Sequence, residues 1–330
     1  MFGQGLNFGG IAGGASGTEV FYLVIAGGGG GGGHQLLNGY NFSSGGGGAG
    51  GYRNSFSGEM TGGRGSAETP LTFLSGTTYT ITVGGGGTRG NRRTYFSHSD
   101  PIAPASKGSN GGNSQISGAD ITTITSTGGG GGGIGNAGAS MTRSTCNGND
   151  GGSPGGVYKG TWGYLYATGA RETNPVQGGN ASHCGGGAGN VNAGNTNYGT
   201  WSEGLSSSIS GSSVKRGGGG NSTALFAGCD GQPSGNTSWG GGLGAGGYSL
   251  CSNRNGGNGV ANKGGGGGSS ADYGYGSGSH YNRQPGVGSS GVVILRMPTS
   301  EYSGTQSGAS VSTSGTDTIL IYNGSGNYTH

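Results

Sequence analysis

Seven consecutive glycines, Gly27 to Gly33, follow Ala26 and an apolar run of strand length, Val20-Phe21-Tyr22-Leu23-Val24-Ile25. Such a run offers no side chain to bury. Glycine also loses more backbone freedom on ordering than any other residue, and fixing one residue costs about 1–2 kcal/mol. Only backbone hydrogen bonding and close packing can offset that. The same problem recurs in glycine-dominated runs at 45–51, 128–133, 185–189, 217–220, 240–247 and 264–268. Glycine supplies 93 of the 330 residues and hydrophobic residues only 28%, well below the roughly one-half of an ordinary globular domain. A conventional core cannot extend through the whole chain.

Charge does not make up the shortfall, because only 8% of residues are charged. Disordered acidic or basic tails carry high net charge and few aromatics, whereas this chain has 16 tyrosines, 8 phenylalanines and 3 tryptophans. The glycines are therefore read as packed. One extended geometry suits them. The left-handed polyproline-II helix has three residues per turn, about 3.1 Å rise and no internal hydrogen bonds. Its N–H and C=O groups point outward and need partners when buried. Parallel and antiparallel helices of this kind can bond one another only where glycine permits close approach. The expectation is a bundle of such helices with the intervening segments ejected as loops at its ends. The runs are not Gly-X-Y, which excludes a collagen triple helix, and they lack the fixed period of a solenoid.

Strand signals are few. Val20–Ile25 and Gly291–Met297, the latter closed by Pro298, are apolar and rich in β-branched residues. They are expected to be neighbouring strands, since each needs a partner to bury its surface. Thr78–Val83 alternates as a half-buried strand, Ile121–Thr125 is weaker, and Thr318–Tyr322 is followed by the turn pair Asn323-Gly324. The expected fold is mainly β and irregular. Short strands flank a glycine-rich bundle of polyproline-II-like (polyglycine II) helices with long surface loops and essentially no α-helix. Three regions follow: 1–19, an N-terminal anchoring or tail segment; 20–297, a glycine-rich domain; and 298–330, a C-terminal strand-containing segment. Phe8 and Ile11 at one end, and Ile319 to Tyr322 at the other, have no obvious partner within the chain. At least one terminal segment is expected to pack against another chain.

Catalytic chemistry is missing from the pattern. A phosphate loop needs Gly-Lys followed by Ser or Thr, and no Gly-Lys dipeptide occurs. Matches to G-x-G-x-x-G are worthless in so glycine-rich a chain. The twelve carboxylates are thinly spread, and no nucleophile elbow comes with Asp and His in a strand–turn–helix context. His34, His98, His183, His280 and His330 sit apart in polar or glycine-rich surroundings and are read as solvated. Cys146, Cys184, Cys229 and Cys251 are too far apart for a C-x-x-C site and are read as free thiols of a reducing cytoplasm. No enzyme activity, cofactor or metal is expected. A net charge of +3 without a concentrated basic stripe argues against nucleic acid. No apolar run of about 18 residues suggests membrane insertion. The start Met1-Phe2-Gly3-Gln4-Gly5 lacks the features of a signal peptide.

An apolar strand enters a glycine run (Val20 to Gly33), then come Tyr79-Thr80-Ile81-Thr82-Val83-Gly84-Gly85-Gly86-Gly87, many glycine blocks, and Ser290-Gly291-Val292-Val293-Ile294-Leu295-Arg296. That order, over residues 20–297, resembles the glycine-rich domain of tail-fibre and other virion proteins of bacteriophages, including cyanophages. More loosely, the chain resembles the tip adhesins of T-even-like phages, which implies stacked polyglycine-II helices and loops that bind the host. The resemblance implies a virion protein made in the host cytoplasm. Its partners would be other virion proteins, copies of itself, and a host polysaccharide or outer-membrane protein. Aromatic side chains stack on sugars and give large contact area at low entropy cost. The receptor-contact candidates are Tyr158, Trp162, Tyr164, Tyr166, Tyr198, Trp201, Trp239, Tyr273 and Tyr275. The competing readings are that these aromatics plug the bundle ends as small cores, and that the protein is a head fibre, capsid decoration or other purely structural subunit.

Overall fold

The computed structural model describes residues 17–34, 42–92, 105–135, 148–153, 155–156, 185–189, 203–221, 241, 255–272 and 284–330. The fold they form is essentially non-helical. Its strands are β1 (Thr18–Ile25), β2 (Phe42–Ser43), β3 (Tyr52–Asn54), β4 (Leu71–Phe73), β5 (Thr78–Thr82), β6 (Ser114–Ser117), β7 (Ile124–Ser126), β8 (Leu205–Ser207), β9 (Val214–Arg216), β10 (Ala271–Asp272), β11 (Val292–Pro298), β12 (Thr305–Ser314) and β13 (Asp317–Thr329). Nine of them form one antiparallel sheet in the order β3-β1-β11-β13-β5-β6-β7, with β12 on β13 and β4 on β1. The sheet curls into a nearly closed, barrel-like cap.

Alternation in β1 explains how the cap holds together. Val20, Tyr22 and Val24 enter one core with Phe73, Tyr79, Ile81, Ile116, Leu295, Leu320 and Tyr328. Leu23 and Ile25 face the other way and pack with Tyr52, Leu205, Ile209, Ile294 and Ile319, under the β8–β9 hairpin. Both faces of β1 and β11 are thus covered, which is why these two strands read as continuous apolar runs. Their expected pairing is present, antiparallel from Phe21↔Arg296 to Ile25↔Val292.

The C-terminal segment departs from expectation. Ile319 and Leu320 are fully buried within their own chain, and Ile321 is half-buried. They lie on β13, between β11 (Leu295↔Leu320) and β12 (Val311↔Leu320). Ile319, Leu320 and Tyr322 are thus spent in the cap, and only Ile321 of this run keeps part of its side chain outside. The other candidate anchor, Phe8 and Ile11, lies outside the described residues. Asn323-Gly324 does not reverse the chain either. β13 bulges there opposite Gly308, whose φ is +84°, passes from β11 and begins pairing with β5 at Gly326↔Ile81. The reversal is at Gly315-Thr316, where Gly315 has φ +62°.

Burial pushes the phenols of Tyr22, Tyr52 and Tyr322 well above the ordinary tyrosine range. Burial, then the hydrogen bond from Tyr79 to Asp120 (2.6 Å), pushes Tyr79 up to about 12. Tyrosines in the unfolded chain ionise near pH 10, at roughly their reference value. Above that pH the native state binds more protons than the unfolded state, so stability falls as pH rises. The cap is expected to be fully stable below pH 10 and to weaken between about pH 10 and 12. Absorbance at 295 nm should show the buried phenolates emerging together with loss of far-ultraviolet structure. Titration of all tyrosines near pH 10 without unfolding would refute this.

Below the cap the chain continues as straight glycine-rich segments that bond in a repeat of three. Gly27, Gly30 and Gly33 donate to Gly112, Ser109 and Ser106; Gly28 and Gly31 to Ser289 and Gly286; Gly29 and Gly32 to Gly48 and Gly45. These three partner segments run antiparallel to 27–33. The carbonyls of the same run accept from three parallel segments. Gly129, Gly132 and Gly135 bond to Gly27, Gly30 and Gly33; Gly87 and Gly90 to Gly28 and Gly31; Gly267 to Gly29. The Gly27–Gly33 run is thus a hub with six neighbours, and every one of its residues is buried.

Glycine is required here by close approach. A methyl built on Gly27, Gly30 or Gly33 would lie 2.0, 2.0 and 1.7 Å from the carbonyl oxygens of Gly85, Thr88 and Asn91. Segments on the rim obey a looser rule. In 84–92, Gly84, Gly87 and Gly90 are buried, while Gly85, Gly86, Thr88, Arg89 and Asn91 are exposed. Every third residue is buried there, as on the axis of a collagen helix, while exposed Gly86 is still hemmed in, its built methyl 2.0 Å from Gly288 O.

Candidate functional site

The bonded glycine-rich segments have two unlike ends. At one, they pass directly into the cap: Ile25 to Ala26, Gly51 to Tyr52, Asn113 to Ser114 and Gly291 to Val292. At the other, the described chain breaks off and resumes repeatedly. Gly33, Asn91, Ser106 and Gly135 share one hydrogen-bonded level there, and Gly45, Gly133 and Gly156 share the next. Asn221 bonds Ser269 and Gly256 bonds Gln284 in the same region. The described residues that flank 35–41, 93–104, 136–147 and 273–283 lie at this end, remote from the cap, on both sides, whereas Gly241, between 222–240 and 242–254, lies midway beside Gly219.

That end is closed by a polar lock. His34 Nδ1 lies 2.8 Å from Ser270 Oγ, Ser270 N–H donates to Ser44 Oγ (2.9 Å), and both hydroxyls reach the carbonyl of Gly32. All three residues are buried. The expectation of solvated histidines fails at His34, because this ring is the last member of the hub segment and is enclosed by its neighbours. His330 belongs to the cap, bonded to Tyr328 and Thr18. His98, His183, His280 and the four cysteines lie outside the described residues.

The aromatic candidates Tyr158, Trp162, Tyr164, Tyr166, Tyr198, Trp201, Trp239, Tyr273 and Tyr275 also lie outside them. What the structure fixes is where their segments attach. Tyr158, Trp162, Tyr164 and Tyr166 belong to 157–184, Trp239 to 222–240, and Tyr273 and Tyr275 to 273–283; the described residues that precede these stretches, Gly156, Asn221 and Asp272, lie at the remote end. Tyr198 and Trp201 belong to 190–202, rooted beside the cap, where Gly189 N–H bonds Glu203 O and Arg64 Nε bonds Gly189 O.

Rim side chains were not recognised as structural from sequence. Asn110 and Asn113 accept the N–H groups of Gly131 and Gly128, Asn255 and Asn258 those of Gln284 and Val287, and Ser106 and Ser109 those of Asn91 and Thr88. Each pair is three residues apart, so each side chain stands in for a neighbouring segment that the rim lacks. The spacing Asn-x-x-Asn or Ser-x-x-Ser beside glycine at every third position was the available signal.

The described ion pairs, Arg53–Glu68, Arg64–Glu203 and Arg296–Asp317, lie in or beside the cap. No cluster able to hold a metal ion occurs among the described residues. The remote end is thus a rigid, backbone-bonded platform that carries long segments and can present a contact surface. No curated protein and no solved structure matches the chain. The model of a glycine-rich domain matches residues 11–298, from before β1 to the end of β11. With most of its length covered by that match, the chain belongs to the glycine-rich domain family.

Proposed function

We propose that this protein is a structural, non-enzymatic component of a bacteriophage particle, a tail fibre or fibre-tip adhesin whose loops bind a host polysaccharide or outer-membrane protein. Its bundle is read as polyglycine II. The three-residue repeat of hydrogen bonds around Gly27–Gly33 supports that geometry, as do six neighbours of both polarities. At about 3.1 Å per residue the seven-residue hub spans about 22 Å. The protein works as part of a virion, with other virion proteins and copies of itself as partners.

The observation that carries the adhesin reading is that the described residues flanking several intervening segments gather at one end of the bundle. A rigid scaffold presenting long loops at one end suits recognition, since sequence change in the loops leaves the scaffold's bonds intact. The test compares the full chain with two variants for binding to lipopolysaccharide and to outer-membrane vesicles. Trp162→Ala combined with Tyr164→Ala and Tyr166→Ala is expected to weaken binding at least about tenfold, the scale of losing one hot-spot residue. Tyr198→Ala combined with Trp201→Ala, rooted at the opposite end, should leave it unchanged. Binding that both variants retain removes the loop assignment. Failure of the unmodified chain to bind either surface favours a head-fibre or decoration subunit.

A further inference from the structure

The edge of β12 is the longest open strand edge among the described residues. Among the described residues β12 pairs only with β13, and its ten residues, Thr305 to Ser314, include no charge and no proline. Natural sheets usually guard such an edge with lysine, proline or a covering element, because unpaired N–H and C=O groups recruit another strand. Here the bulge at Gly308 is the sole guard, and Ala309 to Ser314 beyond it pair regularly with β13.

Parity identifies the open groups. Gly315-Thr316 is a two-residue connection, so Ser314 and Asp317 form a hydrogen-bonded pair. Alternation then directs Ser312 and Ser310 toward β13, and Thr313, Val311 and Ala309 toward the free side. The N–H of Ala309 bears this out, since it bonds the side-chain Oε1 of Gln306 (3.0 Å) instead of β13. Val311 is 44% exposed, one of few large apolar side chains so placed, although its partner Leu320 is fully buried.

We propose that β12 pairs antiparallel with β12 of a second copy of this chain, about a two-fold axis at Val311. Val311 then exchanges both backbone hydrogen bonds with its symmetry mate, Ser310 faces Ser312, and Ala309 faces Thr313. Charge selects this occupant. A two-fold axis sets each group near the axis against its own copy, so a charged edge repels itself and an uncharged one does not. The two caps join into one continuous sheet, and the remote ends of both bundles stay clear. This deepens the self-association within the proposed function and rests on that reading, yet it is measured apart from receptor binding.

Sedimentation equilibrium on the full chain, at micromolar concentrations, tests it. The unmodified protein should have the mass of two chains. Val311→Lys sets like charges opposite each other, and Val311→Pro removes the donor at the axis without touching a bond to β13. Both should have the mass of one chain, with the melting transition of a folded cap. Hydrogen exchange at Val311 and Thr313 should be slowed in the unmodified protein and fast in Val311→Lys. A single-chain mass for the unmodified protein overturns the proposal, as does a two-chain or larger mass retained by a folded variant.

Discussion

Alanine at Gly30 is expected to destabilise the bundle by about 4 kcal/mol or more, the range kept for severe clashes with backbone. The added methyl would lie 2.0 Å from Thr88 O, 2.5 Å from Thr88 C and 2.9 Å from Arg89 N. A clash with a flexible side chain relaxes by rotation. This one is with the main chain of a segment that is itself held, since Gly87 and Gly90 donate to Gly28 and Gly31. Moving 84–92 away would break those bonds and leave buried backbone groups unsatisfied, at about 1–3 kcal/mol each. Gly85→Ala is the matched control. It lies in the same neighbouring segment, exposed, with nothing within 4 Å of the built methyl. Its effect should stay within about 0.5 kcal/mol, or stabilise slightly by restricting the unfolded chain. Thermal or denaturant unfolding of the two variants decides the matter. Equal stability would show that the hub is not packed as tightly as its hydrogen bonds require.

Leu320→Ala should cost about 2–5 kcal/mol, as for other large-to-small changes in closed cores. Leu320 is fully buried in the core that holds Val20, Tyr22, Leu295 and Tyr328. Its strand lies between β11 and β12, so the hole cannot close by one free edge moving in. Val311→Ala, directly across the ladder, removes a side chain that is 44% exposed and should cost under about 1 kcal/mol in the monomer. The pair separates a structural role for the C-terminal segment from an anchoring one. Were Ile319–Tyr322 an intermolecular anchor, Leu320→Ala would alter assembly and leave the single chain as stable as before. Here it should lower the denaturation midpoint of the single chain.

Sequence and tertiary structure contributed unequally across the chain. Val20–Ile25 and Val292–Met297 announced themselves because both of their faces are buried, so nearly every residue is apolar. β5 was legible for the complementary reason: Tyr79 and Ile81 point inward while Thr78, Thr80 and Thr82 stay exposed. β12 was not, since its residues are mostly exposed and no apolar alternation marks Thr305–Ser314. Asn323-Gly324 carried a true local signal for a turn that the pairing of β13 with β5 overrode, leaving a bulge. On the rim, glycine at every third position was hidden among so many glycines that its period did not stand out.

By itself the sequence determined that the glycines must bond to one another, because their runs have no side chains to bury and a large entropy cost to offset. It also determined which strands join the two ends of the glycine-rich region. Only the tertiary structure decided which glycines are hub and which are rim, since that depends on how many neighbours surround a segment, and a segment does not encode its neighbours. It also decided that the C-terminal strand belongs to the cap. Direction along a bundle is set by alternating parallel and antiparallel packing, and no local pattern of residues records it.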